Sequence, residues 1–280
     1  MAPAPTDPLA APLRWPAEAI WQSVAPLLPG FSVEILPEID SSNTELMRRW
    51  RAGRSEPVLL VAQYQSAGRG RMGRQWHSPP GSSLTFSLGL ELAPADWSGL
   101  SLAVGVSLAE SLAQLGAADV RIKWPNDLWL GDAKLAGILI ETAATGASRY
   151  AVIGVGINLR EPQANWRPPA AEHTPDPAAS RAQPVPPAWL GACVPVDAPQ
   201  VLGAVAPALV QAVLCFEREG WGPFAQRFAQ RDVLAGRPVW LSDGRSGQAC
   251  GLSPAAALRV QTERGIEEVH SGEVSVRPRR

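Results

Sequence analysis

Residues 68–74 read Gly-Arg-Gly-Arg-Met-Gly-Arg, three arginines interleaved with three glycines. Glycine lets a backbone approach a ligand closely and change conformation, and arginine offers a forked donor to phosphate or carboxylate oxygens. The stretch satisfies G-x-G-x-x-G, a spelling shared by dinucleotide-binding turns and kinase phosphate loops. The dinucleotide turn must open a helix whose N-terminus faces a pyrophosphate. Here Gln75-Trp76-His77-Ser78 follows, and Pro79-Pro80-Gly81 cannot continue a helix. Glu91 stands near the distance of a ribose-binding acid, but the strand before it comes too early. A kinase would need H-R-D, D-F-G and a lysine on the next strand, and a Walker A loop would need Gly-Lys-Ser/Thr; none occurs. Two readings stay open on the motif alone: an anion-gripping loop and a solvated basic loop.

Of 25 basic residues only two are lysines, Lys123 and Lys134. In an arginine-biased chain a retained lysine points either to a need for a compact ammonium on a flexible stem or to chance. The net charge is −1, so any positive field is local, which argues against a general nucleic-acid or acidic-membrane binder. Cys193, Cys215 and Cys250 lie far apart and read as free thiols of a reducing cytoplasm. His77, His173 and His270 show no ligand spacing, so no metal site is expected in the protein itself. His77 is expected at the surface. No signal peptide begins the chain, and no run of about 18 uninterrupted apolar residues occurs, so no membrane span is expected.

The elements that must position these groups follow from hydrophobic period and punctuation. Residues 1–14 read as a disordered tail and 15–28 as a short helix with Pro16 in its first turn. Phe31–Ile39 is a strand; Asp40, Ser41, Ser42 and Asn43 supply an N-cap for the next helix, which Gly53 stops. Pro57–Gln65 is a buried strand running into the glycine-arginine loop. A strand over 82–92, a core helix over 98–117, and a strand, turn and hairpin closing near Gly131-Asp132 come next. Arg149–Leu159 is another strongly apolar strand. Residues 162–199 carry ten prolines and read as a loop with little regular structure. Two helices follow, and 237–277 holds only short strands and turns, the pattern of a small barrel.

The segments "YQSAGRGRMGRQW", "KWPNDLWLGDAKLAGILIE" and "IGVGIN", in that order, resemble the biotin protein ligases (biotin–[acetyl-CoA-carboxylase] ligases). The resemblance covers about residues 32–278 apart from the Pro/Ala-rich stretch. It implies an α/β fold of α+β type: a mixed sheet backed by helices, like the catalytic domains of class II aminoacyl-tRNA synthetases, with a C-terminal SH3-like barrel. The implied domains are an N-terminal tail and helix (1–30), a catalytic biotin/ATP domain (31–234) and the barrel (235–280). The implied reaction activates biotin with MgATP to biotinyl-5′-AMP and passes biotin to a lysine of biotin carboxyl carrier protein.

Carried over by motif, Ser41, Ser42, Asn43 and Gln65 would hold biotin's head group; the family more often has threonine where Ser42 stands. Arg69, Gly70 and Arg71 would close over the ligand, with Arg71, Arg74 and Trp76 near the adenylate. Lys134 would bridge carboxylate and phosphate with Gly137 beside it, Gly154 would admit the ligand backbone-close, and Asn158 would face adenine. Lys134 and Arg69 are the expected catalytic cations. Gly156, like Gly154, reads as a point of close approach. Asn126 and Asp127 lean towards turn structure, and Lys123 stays open between site and scaffold. A glycine-arginine loop can order over a mixed anhydride and exclude water.

Some members of the family also carry a DNA-binding helix-turn-helix; about thirty residues before the first strand are too few for one, so no DNA partner is expected. The resemblance admits monomer and homodimer alike. The rival readings are a lipoate/octanoate transferase of the same superfamily, and a nucleic-acid contact made by the arginine loop.

Overall fold

The computed structural model describes residues 13–145, 148–162, 185–270 and 276–278. Residues 1–12 of the expected N-terminal tail, residues 163–184 of the Pro/Ala-rich stretch and His173 lie outside them. In chain order the main body runs α1 (Ala17–Val24), β1 (Ser32–Leu36), α2 (Ser42–Arg51), β2 (Val58–Ala62), β3 (Ser83–Leu92), α3 (Leu100–Gln114), β4 (Val120–Lys123), β5 (Asp127–Leu130), β6 (Ala133–Thr145), β7 (Ser148–Asn158), α4 (Ala198–Glu219) and α5 (Gly222–Ala229). Five short strands follow, β8 (Pro238–Leu241) to β12 (Val276–Pro278), with β9 (Ser246–Leu252), β10 (Leu258–Thr262) and β11 (Gly265–Val269) between them.

The large sheet has seven strands in the order β1-β2-β3-β7-β6-β5-β4. Only β1 and β2 are parallel; every other pair is antiparallel. This is the expected mixed sheet. Its central strands are buried almost throughout: β2 reads as a continuous apolar run, whereas β3 alternates apolar side chains with small or polar ones, Thr85 and Ser87 buried among them.

Helices cover both faces. Helix α3 is buried on nearly every side, from Leu100 to Leu112, which is why its sequence is apolar all round. It packs between the sheet and α4. Each fully buried leucine, valine or phenylalanine of this layer adds about 1.5–3 kcal/mol relative to exposure. Helix α4 begins at a capping box, Asp197 accepting from the Gln200 N–H while Gln200 accepts from the Asp197 N–H (both 2.9 Å). By length and composition α4 could cross a membrane. Val201, Leu202, Val205, Leu209, Val210, Val213 and Phe216 instead bury one face in the core, which explains its apolarity. On the other side of the sheet α2 packs against β3 and β7 around Leu46 and Tyr150. Desolvation pushes the Tyr150 phenol up to about 12.

The small sheet orders as β11-β10-β9-β8-β12, all antiparallel, consistent with the expected SH3-like fold. It is tied to the main body. The Trp124 indole donates to the Ala256 carbonyl (3.2 Å), and Arg237 pairs with Asp132 (2.7 Å).

Two expectations need correction. Pro16 is the N-cap of α1 rather than a first-turn residue. The last part of the Pro/Ala-rich stretch has more order than its composition suggested. Lys134 donates its backbone N–H to Pro186 (2.8 Å), and Ala188 donates back to the Lys134 carbonyl (2.8 Å). A 3-10 turn follows at Leu190–Ala192. The reason is that Lys134, opening β6, offered unpaired backbone groups that this segment satisfies.

Candidate active site

The cleft lies over the middle of the large sheet, where three glycines meet. Gly156 sits opposite Gly137 on one side and Thr85 on the other; Gly154 sits opposite Leu139 and Ser87. Without side chains these positions form a low floor, and their neighbours use the space. A Cβ on Gly154 would stand 2.1 Å from Asn43 Oδ1, and one on Gly156 2.6 Å from Trp76 Cε2. On Gly137 it would meet the Lys134 ammonium and the Trp76 ring, each at 3.3 Å. The cleft between the floor and its walls is narrow, with room of about 60 Å³ for water-sized occupants, and opens to solvent.

One end is built by the start of α2. Ser41 caps the helix, accepting from the Thr44 N–H (3.4 Å). The Ser42 N–H and hydroxyl both donate to Gln65 Oε1 (2.7 and 3.1 Å). Asn43 donates to the Leu139 carbonyl (3.3 Å) and to Glu141 Oε2 (3.0 Å). Ser41, Ser42 and Asn43 are buried, polar and hydrogen-bonded, a pattern of specific recognition.

The other end is cationic. Lys134 lies 2.7 Å from Asp127 Oδ1, with its ammonium 6.0 Å from the Trp76 ring centre. The glycine-arginine loop folds across: Trp76 donates to the Gly68 carbonyl (2.9 Å) and Gly70 to the Arg74 carbonyl (2.7 Å). A 3-10 turn spans Arg71–Gly73, with Met72 at φ 56°, a left-handed conformation rarely taken by a side-chain-bearing residue. Arg69 pairs with Glu141 (3.0 Å), and Arg71 donates to Asn126 Oδ1 (3.0 Å). Burial lowers the Arg71 pKa, Asp127 opposing and Arg74 adding to the shift.

Of the residues expected here, Ser41, Ser42, Asn43, Gln65, Arg69, Gly70, Arg71, Trp76, Lys134, Gly137 and Gly154 all border this one cleft. Arg74 and Asn158 do not. Arg74 shapes the loop through its backbone, and Asn158, at the end of β7, donates to the Lys134 carbonyl (3.3 Å). Asn158 thus steadies the lysine's backbone.

The same architecture recurs in known proteins. Residues 36–158 match the family model described as Biotin/lipoate A/B protein ligase family. The bifunctional ligase/repressor BirA of Escherichia coli is 38% identical over 259 residues, covering 89% of this chain and 75% of that protein. The biotin–[acetyl-CoA-carboxylase] ligase of Paracoccus denitrificans is 30% identical over 254 residues, covering 86% and 98%. The biotin protein ligase of Aquifex aeolicus, solved with biotin and ATP, superposes with a TM-score of 0.70 at 28% identity, covering 88% and 99%.

This chain belongs to the biotin protein ligase family.

Three polar residues in or beside this ligase cleft were under-weighted by motif reasoning. Asp127, which leaned towards turn structure, holds Lys134. Asn126 does both jobs: it donates to the Ile138 carbonyl (2.8 Å) and receives Arg71. Glu141 was not singled out; a lone carboxylate ending an apolar run four residues after Gly137 was the available signal. Lys123 backs the site from the core. It is buried, donates to the Trp124 carbonyl (3.3 Å), and lies 4.0 Å from Asp127 and 5.7 Å from the Trp129 ring centre. His77 is half-buried, not fully at the surface, and burial lowers its pKa.

Proposed function

We propose that this ligase joins the carboxylate of biotin to the α-phosphate of ATP, releasing pyrophosphate, and then transfers biotin to a lysine of biotin carboxyl carrier protein. In the first step a carboxylate oxygen bonds to the α-phosphorus as the bond to the β-phosphate oxygen breaks. In the second, the acceptor amine attacks the acyl carbon, AMP leaves, and the amine loses a proton.

The observation that carries this reading is the convergence of Lys134, Arg69 and Arg71 on one glycine-floored cleft. Two anions must approach each other there, and fixed cations lower that barrier without reorganising during the reaction. Lys134 bridges carboxylate and phosphate, with Asp127 holding the ammonium in place. Ser41, Ser42, Asn43 and Gln65 take the ureido head group, whose donors and acceptors suit hydroxyl and amide partners. Trp76 supplies a flat apolar wall, and the loop excludes water from the mixed anhydride. Among the described residues no three His, Cys, Asp or Glu side chains cluster to hold a metal. Magnesium carried in on the phosphates of ATP would add positive charge there.

Incubation with MgATP, biotin and a carrier domain should give a streptavidin-reactive carrier band. No band, with a competent control ligase active on the same carrier, would reject the proposal. A lipoate or octanoate preference is disfavoured because the ligases of Paracoccus denitrificans and Aquifex aeolicus, matched over most of this chain, are biotin ligases. The reading further takes the reaction to run in the cytoplasm, where thiols such as Cys193 and Cys250 stay reduced. It includes no operator binding, in keeping with the net charge of −1. Specific, biotin-dependent retardation of promoter DNA would overturn that last part.

A further inference from the structure

A continuous chain of polar contacts runs from the α2 end of the cleft to the arginine loop. Gln65 Oε1 receives Ser42; Ser42 Oγ lies 2.7 Å from Ser87 Oγ; the Ser87 hydroxyl reaches Asn43 Oδ1 at 2.6 Å. Asn43 then donates to Glu141 Oε2 at 3.0 Å, and Arg69 Nη1 straddles the same carboxylate, 3.0 Å from Oε1 and 3.3 Å from Oε2.

Ser87 is 0% and Asn43 4% exposed, so the inner members of this chain are fixed by burial. Asn43 uses its amide oxygen on Ser87 and its amide nitrogen on Leu139 and Glu141, which sets its orientation and thereby aims the carboxylate outward. Glu141 itself is 23% exposed, at the mouth. A charge-assisted contact in such a place is stronger than one in open solvent. Arg69 and Glu141 are 72 positions apart, so the pair joins the loop to a central strand of the rigid sheet.

We propose that Glu141 is a positioning residue: it anchors Arg69, and with it the glycine-arginine loop, over the cleft, and Ser87 and Asn43 couple that anchor to the head-group end. The inference rests on the ligase reading for its catalytic consequence but not for its structural one, and two measurements separate them.

The first needs no substrate. The loop carries Arg69, Arg71 and Arg74, all tryptic sites, so limited trypsin digestion followed by mass spectrometry reports its opening. Glu141→Gln should speed cleavage at these arginines about threefold to tenfold relative to cleavage at Arg264, which lies in a surface turn far from this chain of contacts. Arg74 is read in Arg69→Gln as well, and the double variant should match the single ones, because either change removes the same contact. Cleavage at wild-type rate in Glu141→Gln, or a double variant equal to the product of the singles, would overturn the anchor.

The second follows release of the acyl-adenylate after ATP and biotin are supplied without carrier. Glu141→Gln should release it about threefold to tenfold faster, and Ser87→Ala should move release in the same direction by less. Pyrophosphate release by the wild type with unchanged retention in Glu141→Gln overturns this proposal and leaves the ligase reading standing. A faster trypsin cut with no biotin-dependent pyrophosphate from the wild type supports the anchor and overturns the ligase reading.

Discussion

The smallest scale at which the cleft can be understood is the glycine. Gly154 and Gly156 were legible as points of close approach and Gly137 as a neighbour of Lys134, but not what approaches: the structure shows Trp76, Lys134 and Asn43 occupying the missing side-chain volume. Gly156→Ala should therefore displace the Trp76 ring and weaken biotin binding at least about tenfold, with a melting temperature close to wild type, because the clash is with a cleft wall rather than the core. Calorimetric titration with biotin and a thermal melt check both halves. Lys134→Ala should lower pyrophosphate release about 100- to 1000-fold, the usual cost of removing one preorganised charge from a reaction that gathers anions. Turnover near wild type in that variant would remove Lys134 from the mechanism. Asp127 and Glu141 were harder to read because a carboxylate beside a turn, or at the end of an apolar strand, is satisfied equally well by solvent. Only the fold brings Asp127 to Lys134 and Glu141 to Arg69.

At the scale of elements, strand period and turn chemistry revealed most of the main body, since its strands are apolar or alternate apolar with small polar residues and are bounded by turn residues. The order of strands in the sheet was not legible, because antiparallel pairing of β3 with β7 joins segments separated by a long stretch of chain, although β6 and β7 pair as a hairpin. The arginine loop illustrates the limit. Its composition suggested mobility, yet it is folded, with Arg69 held by Glu141 and Arg71 by Asn126. Arg69→Gly and Arg71→Gly should each release biotinyl-adenylate faster and label bystander proteins indiscriminately. The Arg71 variant should show the larger effect, because that side chain is the more buried of the two. A streptavidin blot of a mixed lysate reads the outcome, and labelling confined to the carrier would argue against the loop as a seal.

At the scale of the whole molecule, the junction between the two sheets carries a buried acid. Asp232 is 5% exposed, and burial raises its pKa to about 6 despite N–H donors from Leu234 and Ala235. The raised value means the folded state binds this proton more tightly than the unfolded chain. The stabilisation it gives is complete below about pH 4 and lost as pH rises through about 6. Asp232→Asn keeps an acceptor for the Leu234 N–H, so it should raise stability by about 1–3 kcal/mol at pH 8 and change little at pH 4. Urea titrations at the two pH values test this; equal effects at both would contradict it. The barrel was legible from its short strands, whereas its attachment through Trp124 and Asp132 was not, since neither residue's partner lies nearby in sequence. What unites the three scales is a single cleft where cations from the loop and from β6 meet over the glycine floor. The most direct measurement is exchange of labelled pyrophosphate into ATP with biotin, lipoate or octanoate as the only acid. The expected result is exchange with biotin alone, abolished by Lys134→Ala; exchange that ignores biotin, or runs faster with lipoate, would contradict it.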